Sequence, residues 1–194
     1  MFYTQHDFPV IPQDLKDELI VYAKEHVANQ HEFNYGWFNT TDKDDLSYIA
    51  SKEAYEAEHG VSGPVIFLAI PQPILTKLVH LYKDVSELQQ GFFSLQVNYN
   101  IDTFPPHIDM LRSITRMYLL EPGGKNVVTS WYEPKEEFKH LPYDHPVNFI
   151  HNNRLIKIKS AVLDTDCWYD LEVNKIHGVE HIEDYRISVA FILS

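Results

Sequence analysis

Cysteine is nearly missing from this 194-residue chain: Cys167 stands alone. A single thiol forms no internal disulfide, so the fold has to stand on packing, and a reducing cytoplasmic setting is expected. Cys167 itself reads as a small buried apolar side chain. Positive charge is scarce too. Sixteen Lys and Arg stand against 28 Asp and Glu, for a net charge of −12. Nucleic acid and anionic membranes call for a concentrated basic surface, so neither is expected as a partner. The short basic cluster Arg154, Lys157 and Lys159 reads as a solvated strand edge. No apolar run approaches the roughly 18 residues that cross a bilayer. No basic-plus-apolar leader opens the chain. There is no internal repeat, low-complexity tract or interdomain linker. A soluble protein with one domain over residues 1–194 is expected.

What is abundant is apolar and aromatic, at 44% and 13% of the residues. The spacing changes character midway. Residues 1–13, with Pro9 and Pro12, read as an extended entry. Leu15, Leu19, Tyr22 and Val27 recur at helical spacing and predict a helix over 14–29, with Asp14 as its N-cap. Residues 42–58 predict a second, acidic helix, and 73–86 a third. Between these lie an aromatic stretch at 31–39, which reads as a loop or short strand, and a short apolar strand at 65–70. From residue 91 the pattern turns to strands: 92–100, 113–120, 127–132, 154–163, 168–173 and 185–193. Turn residues such as Pro122-Gly123-Gly124 separate them. Helices followed by many strands predict a mainly β fold: an antiparallel jelly roll over 91–194, with a helical support region over 1–90 packed on it. The Pro-rich stretch 133–153 is a candidate rim for a site.

The chemistry gathers around Pro105-Pro106-His107-Ile108-Asp109. Residues i and i+2 of a strand share a face. His107 and Asp109, placed at the start of a strand, would present an imidazole and a carboxylate to one spot. His177 offers a second imidazole near the start of a later strand. Two histidines and one carboxylate with open positions make the facial triad of non-haem iron. Arg186 and Ser188 share a strand face, after a turn at Glu183-Asp184. A guanidinium pointing into an apolar barrel needs an anionic partner, and a carboxylate fits its planar fork.

The ordered set His107-x-Asp109, His177 and Arg186-x-Ser188 resembles the Fe(II)- and 2-oxoglutarate-dependent oxygenases. Gln96-Val97-Asn98-Tyr99 and Tyr118 to Gly124 are similar to text around that motif. The likeness spans residues 92–194 and is nearest to small bacterial and viral members related to prolyl hydroxylases. It implies a double-stranded β-helix. It implies Fe(II) on His107, Asp109 and His177, and 2-oxoglutarate held by Arg186 and Ser188. Tyr99, Asn98 and Thr129 are implied as further cosubstrate contacts, and Arg116 is an alternative anchor. The implied reaction consumes O2, decarboxylates 2-oxoglutarate to succinate and CO2, and hydroxylates a small molecule or a peptide side chain. Prolyl hydroxylases usually carry a lysine where Arg186 stands, so prolyl specificity is not implied. Two other readings of the same residues stay open: a non-catalytic jelly-roll binding module, and a cupin-like metal enzyme that uses no 2-oxoglutarate.

Overall fold

Successive side chains of a strand face opposite ways, and β3 (Gly91–Asn98) shows what that does here. Phe93, Leu95 and Val97 pack outward into a helix-covered core, whereas Gln96 and Asn98 turn toward an internal cavity. The computed structural model describes residues 1–29, 66–99, 102–109, 113–139, 150 and 152–193. The expected helix over 42–58 and the aromatic stretch at 31–39 lie outside them, as do residues 140–149 of the expected rim.

Among the described residues the first half holds β1 (Tyr3–His6), α1 (Gln13–Asn29), β2 (Ile66–Ala69) and α2 (Gln72–Leu81). After β3 come β4 (Thr103–His107), β5 (Ile114–Pro122), β6 (Val128–Pro134), β7 (Leu155–Ala161), β8 (Trp168–Glu172), β9 (His177–Glu180) and β10 (Arg186–Leu193). The described residues are mainly β, with each of their strand pairs antiparallel. One sheet has the order β1-β8-β5-β10-β3-β2, the other β4-β9-β6-β7. From β3 onward the chain passes repeatedly from one sheet to the other. Strands distant in sequence thereby become neighbours, β4 beside β9 and β10 between β3 and β5.

The helices form where expected, with two differences. Helix α1 starts at Gln13, so Asp14 sits in its first turn rather than at the N-cap. There its charge still favours the positive end of the helix dipole. Leu15, Leu19, Ala23 and Val27 form the buried stripe of α1, and Leu78 of α2 joins them on the outer face of the six-stranded sheet. Helix α2 ends at Leu81, short of the expected residue 86. The next residue, Tyr82, is drawn into the core. Its hydroxyl donates to Pro9 O at 2.8 Å and accepts from Trp168 Nε1 at 3.0 Å. In the entry segment Tyr3–His6 is extended and adds itself to the sheet edge beside β8, while Gln13, expected to belong to that segment, already opens α1. No described helix is long and apolar enough to cross a membrane.

A second core, including Met117, Leu119, Trp131, Tyr169 and Leu171, draws on β5 and β8 of one sheet and β6 of the other. Trp131 donates to Glu172 O at 3.1 Å and stacks on Tyr3. The alternation in β3 predicts a contrast that urea unfolding measures. Leu95→Ala, at a position with 0% exposure, is expected to cost about 2–5 kcal/mol. Phe92→Ala, at a position 54% exposed, is expected to stay within about 0.5 kcal/mol.

Candidate active site

Proline lacks a backbone N–H and cannot donate to a sheet ladder. Pro105-Pro106 interrupts the β4–β9 ladder accordingly. Phe104 pairs with Val179 and His107 with His177, so β4 carries one extra residue, a bulge. Gly178 lies beneath it. A Cβ there would sit 2.8 Å from Phe104 O and 3.1 Å from Pro106 N. The glycine lets the bulged backbone close onto β9 and brings the two histidine rings to a centroid distance of 4.3 Å.

His107 is the last residue of β4, and Asp109 lies beyond the strand. The expectation that both sit at a strand start and share its face is therefore corrected. Asp109 reaches the site by other means. Its backbone N–H donates to Val173 O at 2.9 Å, and Thr115 Oγ1 donates to its Oδ2 at 3.3 Å. Its Oδ1 lies 3.3 Å from His107 Nε2. Donor atoms of His107, Asp109 and His177 all fall within 4.8 Å of one another.

Both imidazoles are held in one tautomer. Nδ1–H of His107 donates to Pro105 O at 2.8 Å, and Nδ1–H of His177 donates to Lys175 O at 2.9 Å. A carbonyl only accepts, so in each neutral ring the lone pair is on Nε2, the nitrogen suited to a metal. Two imidazole nitrogens and a carboxylate oxygen suit a divalent transition metal and leave coordination positions open. The donor set thus fits the iron that the sequence implied.

The cavity beside this group has a volume of about 310 Å³ and takes its walls from both sheets. That is at the lower end of small-molecule sites, roughly 300–1,000 Å³. Arg186, Ser188, Asn98 and Thr129 line it, and all four are buried. Arg186 is opposite Asn98 on β3, and Ser188 opposite Gln96. The guanidinium donates to Pro122 O at 3.2 Å and to Thr129 Oγ1 at 3.3 Å. Among the described residues it has no carboxylate partner. Burial alone lowers its pKa to about 10. Gly123 makes room for it: its φ is +84°, and a Cβ there would lie 2.9 Å from Arg186 Cβ. The Gly123 carbonyl also accepts from Glu183 N and Asp184 N, anchoring the turn that leads into β10.

Two residues fall elsewhere. Arg116 lies on the opposite face of β5, bound through Nε and Nη2 to Asp170 at 2.6 and 2.7 Å. Burial would raise the Asp170 carboxyl, but the Arg116 hydrogen bonds and charge hold it below its ordinary value. Arg116 is therefore not the cavity's anion anchor. Tyr99 is next to Asn98 and so faces the other way. It stacks on Tyr185 at 5.8 Å and joins the helix-side cluster, away from the cavity. It is not among the residues that line the cavity. Conversely, Gln96, Thr115 and Phe67 line the cavity without having been singled out from the sequence. The two-residue alternation through Asn98 points to Gln96, but nothing in the sequence pairs Thr115 with Asp109.

No family model and no curated protein sequence matches the chain. Solved structures do resemble it. A Pseudomonas putida prolyl-4-hydroxylase matches at 12% identity and a TM-score of 0.47, over 99% of this chain and 92% of that one. A Trichoplax adhaerens prolyl hydroxylase, in complex with a hypoxia inducible factor peptide fragment, matches at 11% and 0.49, over 97% and 81%. SnoN, a non-heme alpha ketoglutarate dependent epimerase from nogalamycin biosynthesis, matches at 10% and 0.49, over 97% and 76%. Likenesses this distant carry no functional assignment, which rests instead on the chain's own side chains.

A buried cation without a counter-charge weakens the fold that holds it. Arg186→Met is therefore expected to raise the stability of the ligand-free protein, by about 1–4 kcal/mol, as read by urea unfolding. The lowered pKa of Arg186 carries the same sign, because the folded chain holds that charge less well than the unfolded one.

Proposed function

We propose that this chain is an Fe(II)- and 2-oxoglutarate-dependent dioxygenase that hydroxylates a small molecule or a peptide side chain. In this reading residues 1–194 are one domain built on a double-stranded β-helix. The alternation between sheets from β3 to β10, and the orders β8-β5-β10-β3 and β4-β9-β6-β7, support that fold.

One observation carries the assignment: a metal-competent His107, Asp109 and His177 group opens on the same cavity as a buried Arg186. Arg186 has no carboxylate among the described residues to balance it. A metal enzyme that used no 2-oxoacid would leave the charge of Arg186 unexplained. On this reading His107, Asp109 and His177 hold Fe(II) through Nε2, a carboxylate oxygen and Nε2. Arg186 takes the distal carboxylate of 2-oxoglutarate in a charge-assisted pair, the stronger kind of hydrogen bond. Ser188 and Asn98 stand beside that carboxylate, and Thr129 holds the guanidinium in place. Bound iron would supply oxygen activation coupled to decarboxylation of the 2-oxoacid to succinate and CO2. The apolar part of the wall, including Met117, Leu171 and Val179, excludes water from around these charges.

The test is succinate release from 2-oxoglutarate in the presence of Fe(II) and O2, paired with anaerobic optical titration. Wild type is expected to form succinate slowly even without a hydroxylation substrate, and to develop a visible charge-transfer band when both Fe(II) and 2-oxoglutarate are added. Asp109→Ala should abolish both. Wild-type protein that binds Fe(II) yet shows neither would contradict the proposal.

A further inference from the structure

We infer that Thr115 is a positioning residue for the metal centre, fixing which oxygen of Asp109 faces the two histidines. The inference rests on the proposed metal role of His107, Asp109 and His177. Asp109 follows the end of β4, so no strand geometry dictates its side-chain direction. Its backbone is tied to the six-stranded sheet by the bond from its N–H to Val173 O, and Val173 N in turn donates to Ser113 O at 3.0 Å. These bonds place the Cα, and the carboxylate is oriented by contacts of its own.

Thr115 supplies the contact to Oδ2. It is two residues beyond Ser113, on β5 opposite Leu171 of β8, buried, and part of the cavity wall. An ionised carboxylate only accepts, so the hydroxyl must be the donor to Oδ2. With Oδ2 engaged, Oδ1 is the oxygen 3.3 Å from His107 Nε2. The two oxygens thus have separate tasks. One is moored to the six-stranded sheet, and the other completes the ligand group with residues of the four-stranded sheet. A metal held through one oxygen of Asp109 keeps more positions open than one chelated by both. Hydrogen bonds of this kind to a ligand typically change metal affinity by about 10–100-fold. The 3.3 Å separation is long for an O–H···O bond, so the lower end of that range is expected.

The experiment is Mn(II) titration of the full chain, with free Mn(II) read by electron paramagnetic resonance. It compares wild type, Thr115→Val, Thr115→Ala and Thr115→Ser, and checks folding of each by urea unfolding without metal. Thr115→Val keeps the shape and loses the donor, and should bind Mn(II) about tenfold more weakly. Thr115→Ala supplies the same loss with less bulk if the valine protein does not fold. Thr115→Ser keeps the donor and should bind like wild type. Equal affinity in a folded Val or Ala variant would overturn the role of Thr115 while leaving the metal centre intact. Equal weakening in the Ser variant would also overturn it, by pointing to packing rather than the hydroxyl. Failure of the wild type to bind Mn(II) would instead overturn the metal centre on which the inference rests.

Discussion

The Arg186 guanidinium, buried without a carboxylate partner among the described residues, is the constraint on which the candidate site depends. Arg186 begins β10, the strand that joins β3 and β5 in the six-stranded sheet. Its direction is decided by the alternation that sends Ile187, Val189 and Phe191 to the helix-covered core. Turning Arg186 outward would expose those three apolar side chains to the cavity and bury Ser188 among the helices. The hydrophobic packing of the outer face therefore forces the charge inward. Two neutral acceptors, Pro122 O and Thr129 Oγ1, hold the group but do not balance it. What remains is an attraction for an anion, inside a cavity of about 310 Å³.

The metal-competent group depends on backbone placement more than on side-chain packing. The bulge at Pro105-Pro106 and the bare backbone of Gly178 bring His107 and His177 opposite each other, their ring centroids 4.3 Å apart. Carbonyl groups two residues upstream of each ring, on Pro105 and Lys175, set both tautomers alike. A side chain at Gly178 or an ordinary ladder at Pro105 would separate the rings. Asp109 then arrives from past the strand end, tied to the other sheet. The site is thus a seam between two sheets, so its geometry reports how they are joined.

Much of this was legible in the chain. Runs rich in Val, Ile, Tyr, Phe and Thr revealed β3, β5, β8 and β10, and the Arg186-Ile187-Ser188 spacing placed Arg186 and Ser188 on one inner face. Pro122-Gly123-Gly124 marked a turn, and the structure adds that Gly123 also clears space for Arg186. What escaped prediction has physical reasons. A strand period cannot show where a strand stops, so Asp109 was assigned to a face it does not share. The same parity that turns Asn98 inward turns Tyr99 outward, where it stacks on Tyr185. Helix α2 stopped early because Tyr82 bonds to Trp168 and Pro9, both far away in sequence. Thr115 meets Asp109 only through a crossing between sheets, which no local pattern encodes.

The central claim is that Arg186 awaits the distal carboxylate of a 2-oxoacid whose other end meets a metal. Calorimetric binding of 2-oxoglutarate and of 2-oxobutyrate to the Mn(II)-loaded protein tests it most directly, because the two ligands share the 2-oxoacid end and only the former has the distal carboxylate. A charge-assisted pair to a buried guanidinium predicts that 2-oxoglutarate binds at least about tenfold more tightly. Equal affinity for the two would contradict the account.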